Sequence, residues 1–150
     1  MTDNTFMTWL EELQRKIEYE EEQTYSKVVI HEYRSPSNFG VLDNPDTVGE
    51  IKGPCGDTMK ISLRIKTDRI QDVRFWTDGC GATIACGSML TKMIKRKTIE
   101  EATNLTSEKL IVALGDLPKE HLHCAKLAVD ALQEAIKDYD GIRRVLGKKM

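Results

Sequence analysis

Met59-Lys60-Ile61-Ser62-Leu63-Arg64-Ile65-Lys66 alternates apolar and polar residues without a break. A period of two marks a strand with one face buried and the other in water, the usual pattern of an antiparallel sheet. Thr67-Asp68-Arg69 reads as the turn that follows, and residues 70–77 as the returning strand, with Val73 and Phe75 facing inward. Residues 47–53 supply a third strand. Beyond the hairpin the period becomes that of helices. Ala82, Ala85, Cys86, Met89, Leu90 and Met93 mark one helical face that begins just past Cys80. Thr98 with Glu101 forms a capping box, a short helix is expected over 108–114, and Ala125, Ala128, Val129, Leu132, Ala135, Ile136 and Tyr139 mark a long last helix.

Upstream of the sheet, Tyr25, Val28, Val29 and Tyr33 share one face of a short helix. Ser35-Pro36 stops it, because the residue before a proline is pushed out of the α region. Residues 35–47 read as loop. Phe6, Leu10, Leu13 and Ile17, broadened by Trp9, form the apolar stripe of an N-terminal helix, with Thr8 and Glu11 as its capping box. Its acidic end, Glu18 to Glu22, opposes the helix dipole, so a break or fraying is expected there. The stripe needs a surface, either its own domain or an assembly partner. Strands followed by helices predict an α+β fold: a small three-stranded antiparallel sheet packed against a group of helices, with an extra N-terminal helix. The domain reading is residues 1–24 as a helical extension and residues 25–150 as the domain proper.

The chain has 150 residues. A chain of this length buries roughly 68–70% of its unfolded surface, so a core forms without disulfide staples. Lys and Arg number 22 against 24 Asp and Glu, for a net charge of −2. That balance argues against nucleic acid or an anionic membrane as partner. No stretch approaches the roughly 18 apolar residues of a membrane span, and Met1-Thr-Asp-Asn-Thr-Phe-Met lacks the basic-then-apolar order of a signal peptide. The expected location is cytoplasmic, with all four cysteines reduced. Reduced thiols favour metal or sulfur chemistry over disulfides. Charge is uneven at the ends: residues 11–22 hold six acids and two bases, and residues 137–150 hold five bases and two acids. Both read as solvated helix faces, or as ends that dock on partners.

Three cysteines stand in unusual settings: Gly53-Pro54-Cys55-Gly56-Asp57 between two strands, Asp78-Gly79-Cys80-Gly81-Ala82 between strand and helix, and His121-Leu122-His123-Cys124 at the head of the last helix. The spacings are 25 and 44 residues. With no Cys-x-x-Cys pair, a zinc knuckle or ribbon is not the pattern, and ligands must converge from separate loops. Glycine beside Cys55 and Cys80 permits unusual turns and close approach of a bulky inorganic ligand. Helix N-termini at Cys80 and Cys124 favour the thiolate, which is both metal ligand and nucleophile. Asp57, two residues from Cys55, points the same way in extended backbone, and His123 offers an imidazole beside Cys124. The candidate ligand set is therefore Cys55, Cys80, Cys124, Asp57 and His123. Cys86 falls six residues after Cys80, on another part of the helix, and reads as a core cysteine. His31 and His121 read as surface or structural histidines.

Pro54-Cys55-Gly56-Asp57, Gly79-Cys80-Gly81-x-x-Ile84-Ala85 and Leu122-His123-Cys124, with Tyr25-Ser26-Lys27-Val28 and Ser35-Pro36-Ser37-Asn38-Phe39-Gly40 before them, resemble in order and spacing the IscU/NifU-type iron–sulfur scaffold family. The resemblance runs from Tyr25 to about Tyr139. It implies a scaffold, not a turnover enzyme. Such a scaffold receives sulfur from a cysteine desulfurase, assembles a labile 2Fe–2S cluster from iron and sulfide, and passes it to acceptor apo-proteins. It implies Cys55, Cys80 and Cys124 as cluster ligands, Asp57 and His123 as exchanging further ligands, and Cys124 as persulfide acceptor. The same site can hold zinc, and a homodimer is compatible with the family. A carboxylate or imidazole suits a soft cluster less well than a fourth thiolate, which makes the cluster easier to release.

The chain departs from that family in four places. Residues 1–24 have no counterpart in the usual short scaffold. Asp78 stands where an aromatic is common, and Cys86 where a small residue is common. Of the Leu-Pro-Pro-Val-Lys segment gripped by a dedicated chaperone, Leu117-Pro118-Lys119-Glu120-His121 keeps only the first two residues, so that chaperone is not expected as a partner. The rival function is a zinc-dependent sulfurtransferase of the SufU branch. That branch typically has an insertion before its third cysteine and lacks the preceding histidine, so the short 44-residue spacing and His123 favour the scaffold.

Overall fold

The alternating segment forms the central strand of the sheet. β2 (Thr58–Lys66) and β3 (Arg69–Thr77) pair antiparallel, with Ile61 opposite Phe75 and Leu63 opposite Val73. β1 (Thr47–Lys52) joins the other edge of β2, giving the order β1-β2-β3. The computed structural model describes the backbone over residues 2–149 and side chains over residues 4–146. Met59, Ile61 and Leu63 are buried under helices, as their period demands. Ser62, on the opposite face, is buried too. The 40–46 loop crosses that face, and the Leu42 amide donates to Ser62 Oγ at 3.1 Å. Along the outer edge of β3, Gly40 N–H donates to Phe75 O and Phe75 N–H to Asn38 O, so part of that edge is covered by chain.

Two long helices close over the sheet. α3 (Gly81–Ile94) lies on β3, and α6 (Leu122–Lys149) lies on β1 and β2. Each approach depends on a glycine. A Cβ on Gly49 would sit 2.1 Å from Ala131 O and 2.4 Å from Ala135 N, so α6 rests on bare β1 backbone. A Cβ on Gly87 would lie 2.3 Å from Phe75 Cδ2. α4 (Ile99–Thr103) starts at the Thr98–Glu101 capping box, and α5 (Ser107–Ala113) packs against α6. α2 (Lys27–Arg34) is bound to α3 by a buried carboxylate: Glu32 accepts from Ser88 Oγ at 2.7 Å and from Lys92 Nζ at 2.8 Å.

The N-terminal region differs from its sequence reading. α1 (Thr2–Thr24) runs unbroken through its acidic end, where Glu21 pairs with Arg34 of α2. The Thr8 hydroxyl donates to Asn4 O at 2.8 Å, so Thr8 is a mid-helix residue and no N-cap. The break comes instead at Tyr25-Ser26, where Ser26 Oγ caps α2 by accepting from Val29 N–H at 3.0 Å and is also bonded to Leu114 O. Phe6, Trp9, Leu10, Leu13 and Ile17 are all exposed. This chain therefore does not cover its own stripe, and α1 meets the domain at α2. At the other end, α6 continues well past Tyr139 and leaves Ile142, Val145 and Leu146 exposed. No helix among the described residues is long and apolar enough to cross a membrane.

Gly49→Ala places a methyl against α6 backbone, which no rotamer change can relieve. The expected loss is about 3 kcal/mol or more, at the upper end of overpacking effects, read from urea or thermal unfolding. A loss below about 1 kcal/mol would show that α6 can lift off β1 without harm.

Candidate metal centre

The first thiol sits on a tight turn. Gly53 N–H donates to Asp57 O at 2.7 Å and Gly56 N–H to Gly53 O at 3.0 Å, with Gly56 at φ +88°, a value that favours glycine. Cys55 is exposed at the tip. Because the chain folds back between Cys55 and Asp57, the extended-backbone reason for their pointing together does not hold. Asp78 Oδ1 accepts from Thr58 N–H at 2.8 Å, which ties the chain just after this turn to the end of β3. The polar residue at the entry to the second thiol loop thus holds the first two loops side by side.

Cys80 is the N-cap residue of α3, in extended backbone. Cys124 lies in the first turn of α6, just after a 3₁₀ turn over Lys119–His121. Between them stands the buried Thr83, whose hydroxyl donates to Cys124 Sγ at 3.3 Å and lies 3.6 Å from Cys80 Sγ. His123 Nε2 is 3.4 Å from Cys55 Sγ and 3.7 Å from Cys124 Sγ. A ring nitrogen of His121 and the sulfurs of Cys80 and Cys124 lie within 4.8 Å of one another. The donors thus form a continuous row: Cys55, His123, Cys124, then Cys80 with His121. Cys86 is fully buried in the apolar core and takes no place in this row.

The thiols are electrostatically unequal. Burial pushes Cys80 up, but the Thr83 backbone N–H, the Thr83 hydroxyl and the Ala82 N–H together outweigh it, so its pKa falls below that of an ordinary cysteine. Cys124 is buried more deeply and is pushed up to about 11; the Thr83 hydroxyl opposes this, while the charges of Cys80 and Asp57 add to it. The negative charge of Asp57 adds a smaller upward push at both thiols. Burial drives Cys86 up further still. Thiolates and imidazoles converging from three turns suit zinc, iron or an iron–sulfur unit, and suit hard cations such as Mg²⁺ poorly. Concavity does not locate the site. A hollow of about 800 Å³ lies instead at the far end of the β2–β3 hairpin near Arg64, Lys66, Arg69 and Arg96.

His121, Thr83 and Tyr25 escaped the reading of the sequence. The signal was helical phase: His121 precedes Cys124 by three residues and Thr83 follows Cys80 by three, so each pair shares a face. His123, the immediate neighbour of Cys124, turns away toward Cys55.

Residues 24–145 match the family described as NifU-like N terminal domain. The chain belongs to that family. It is 47% identical over 116 residues to the iron–sulfur cluster assembly scaffold protein IscU 1 of Archaeoglobus fulgidus, covering 77% of this chain and 76% of that one. It is 43% identical over 118 residues to IscU of Aquifex aeolicus, covering 77% and 75%. Among solved structures, the N-terminal NifU-like protein of Brucella abortus superposes with a TM-score of 0.63 at 16% identity, over 77% of this chain and 94% of the other. That similarity speaks for the fold alone. The α+β arrangement of this NifU-like chain is thus the one its structural neighbour shares.

Alkylation at near-neutral pH, without metal and with thiols reduced, reads these environments directly. Exposed Cys55 and acid-shifted Cys80 should be modified first, Cys124 more slowly, and Cys86 only on unfolding, because the thiolate is the reacting form. Mass mapping of a time course checks the order. Early modification of Cys124 would contradict the burial described above.

Proposed function

We propose that this protein is a scaffold on which a 2Fe–2S cluster is assembled in the cytoplasm and from which it is handed to acceptor apo-proteins. Residues 25–150 carry that role and residues 1–24 are an added helix. The observation that supports it best is the convergence of Cys55, Cys80 and Cys124 from three separate turns, with His123 between the first and the last. Relatives that match over about three quarters of their own length are named as iron–sulfur cluster assembly scaffolds. Cys55, Cys80 and Cys124 are the cluster ligands in this reading, with Asp57 and His123 exchanging in the remaining position. The cluster is cargo, and its labile position is the one that lacks a thiolate.

Sulfur arrives from a cysteine desulfurase. The Cys124 thiolate attacks the outer sulfur of the enzyme's persulfide, the enzyme's S–S bond breaks, and the enzyme's thiolate leaves. This exchange moves sulfur without net oxidation. Conversion of that sulfur to sulfide then takes two electrons from an external reductant. Cys124 is buried and resists ionisation, so delivery requires either a bound cation that favours its thiolate or an opening of the turn that carries it. The protein makes no persulfide of its own and is not an enzyme in the turnover sense. A zinc-dependent sulfurtransferase would use the same acceptor while keeping one zinc ion throughout. The position of His123 between Cys55 and Cys124 favours the scaffold.

Incubation with iron, cysteine, a reductant and a desulfurase under argon should give the absorption of a 2Fe–2S unit, with two irons and two sulfides per site. Asp57→Ala should lengthen cluster lifetime and slow transfer to an apo-ferredoxin. Equal lifetimes in the two proteins would remove Asp57 from the exchange. Mass mapping before iron is added should place the extra sulfur on Cys124. Persulfide mainly on Cys55, Cys80 or Cys86 would refute that assignment.

A further inference from the structure

His121 read in the sequence as a structural or solvent-facing residue. In the fold one of its ring nitrogens is gathered with the sulfurs of Cys80 and Cys124 inside 4.8 Å. Tetrahedral coordination at about 2.3 Å to sulfur and about 2.0 Å to nitrogen needs only modest contraction of such a set. The two nitrogens of His121 differ in their surroundings. Nε2 lies 3.1 Å from Tyr25 Oη. Nδ1 is buried and has no hydrogen-bond partner among the described residues. A buried polar atom left without a partner destabilises the fold, and a cation bound at Nδ1 would remove that cost.

We propose that His121 is a metal ligand: with the Cys80 and Cys124 thiolates it closes a site for one thiophilic divalent cation, and Tyr25 is the positioning residue that aims its ring. Metal-bound histidines generally give their second ring N–H to an oxygen that fixes tautomer and orientation, and Tyr25 Oη occupies that place. The support extends further back. The Tyr25 and His121 rings lie 5.7 Å apart between centroids, Tyr25 meets Tyr33 edge to face, and the Tyr33 ring lies over Gly81, beside Cys80. The Glu32 anchor of α2 on α3 therefore also sets the aim of His121. The two imidazoles divide the row of donors: His121 serves Cys80 and Cys124, while His123 serves Cys55 and Cys124. This inference rests on the reading of these thiols as metal-binding, and it adds a place where a single ion is held.

The test is a titration of the metal-free, reduced full-length chain with zinc alone, in competition with a chromophoric chelator. One zinc should bind, and His121→Ala and His121→Gln should each weaken it tenfold or more. Tyr25→Phe keeps the ring but removes the oxygen, and should weaken zinc about tenfold, the lower end of the effect of losing such a support. Cys80→Ser is the positive control, and circular dichroism of each metal-free variant checks folding. Independently of any substitution, long-range ¹H–¹⁵N spectra of the unmutated chain should show the His121 Nδ1 resonance moving on zinc addition. Unchanged zinc affinity in a folded His121→Ala protein, or an unmoved Nδ1 resonance, would overturn the proposal. Cluster assembly with unaltered zinc binding in His121→Ala would sink this inference and leave the scaffold standing. Zinc held by His121 in a chain that builds no cluster would do the reverse.

Discussion

The contact on which the thiol site depends is the seating of α6 on the backbone of β1. At Gly49 there is no side chain, and the helix backbone at Ala131 and Ala135 comes down to the strand. Thr47 strengthens the same seam, its hydroxyl donating to Ala135 O at 2.8 Å and lying 2.8 Å from Asp138 Oδ2. One end of that seam is the turn after β1, where Leu127 packs against Gly53. The first turn of α6, with His123 and Cys124, is thereby held against the Cys55 loop. A helix lifted by even one methyl would shift His123 relative to Cys55, since both are carried on the two sides of this contact.

The second determinant is the inequality among the thiols. Cys80 sits where backbone amides and a threonine hydroxyl favour its thiolate, whereas Cys124, more deeply buried, has its thiol pushed up to about 11. A divalent ion offsets this, because coordination deprotonates a thiol outright. The Thr83 hydroxyl stands between the two sulfurs, 3.3 Å from Cys124 Sγ and 3.6 Å from Cys80 Sγ. Cys86, fully buried in the apolar core, has its thiol pushed up by burial, the setting of a structural cysteine.

The N-terminal helix adds a different element. Its apolar stripe is left bare by its own chain, and its acidic end is turned toward Arg34. The helix therefore owes its length to local hydrogen bonding and to its connection at α2, with little help from the core.

Much of this protein was legible in its sequence, because periodicity is a local property. The alternation of Met59 to Ile65 determined the strand and the face that packs under the helices; its register with β3, with the irregularity at Arg64 and Ile65, did not follow from it. The apolar face of Ala82 to Met93 and the Thr98–Glu101 box determined where helices run. The motif order around Cys55, Cys80 and Cys124 determined the candidate site and the family. Tertiary structure decided the rest. Whether α1 would find a surface depended on distances between elements, which no local pattern carries. The direction of Cys55 relative to Asp57 depended on a turn closed by Gly53, Gly56 and Asp57. The division of labour between His121 and His123 was hidden because both stand beside the same cysteine in sequence. Helical phase and the placement of Tyr25, which comes from the break before α2 almost one hundred residues earlier, determined which imidazole turns toward Cys80. Side-chain direction follows the local backbone, but what lies in that direction is set by packing.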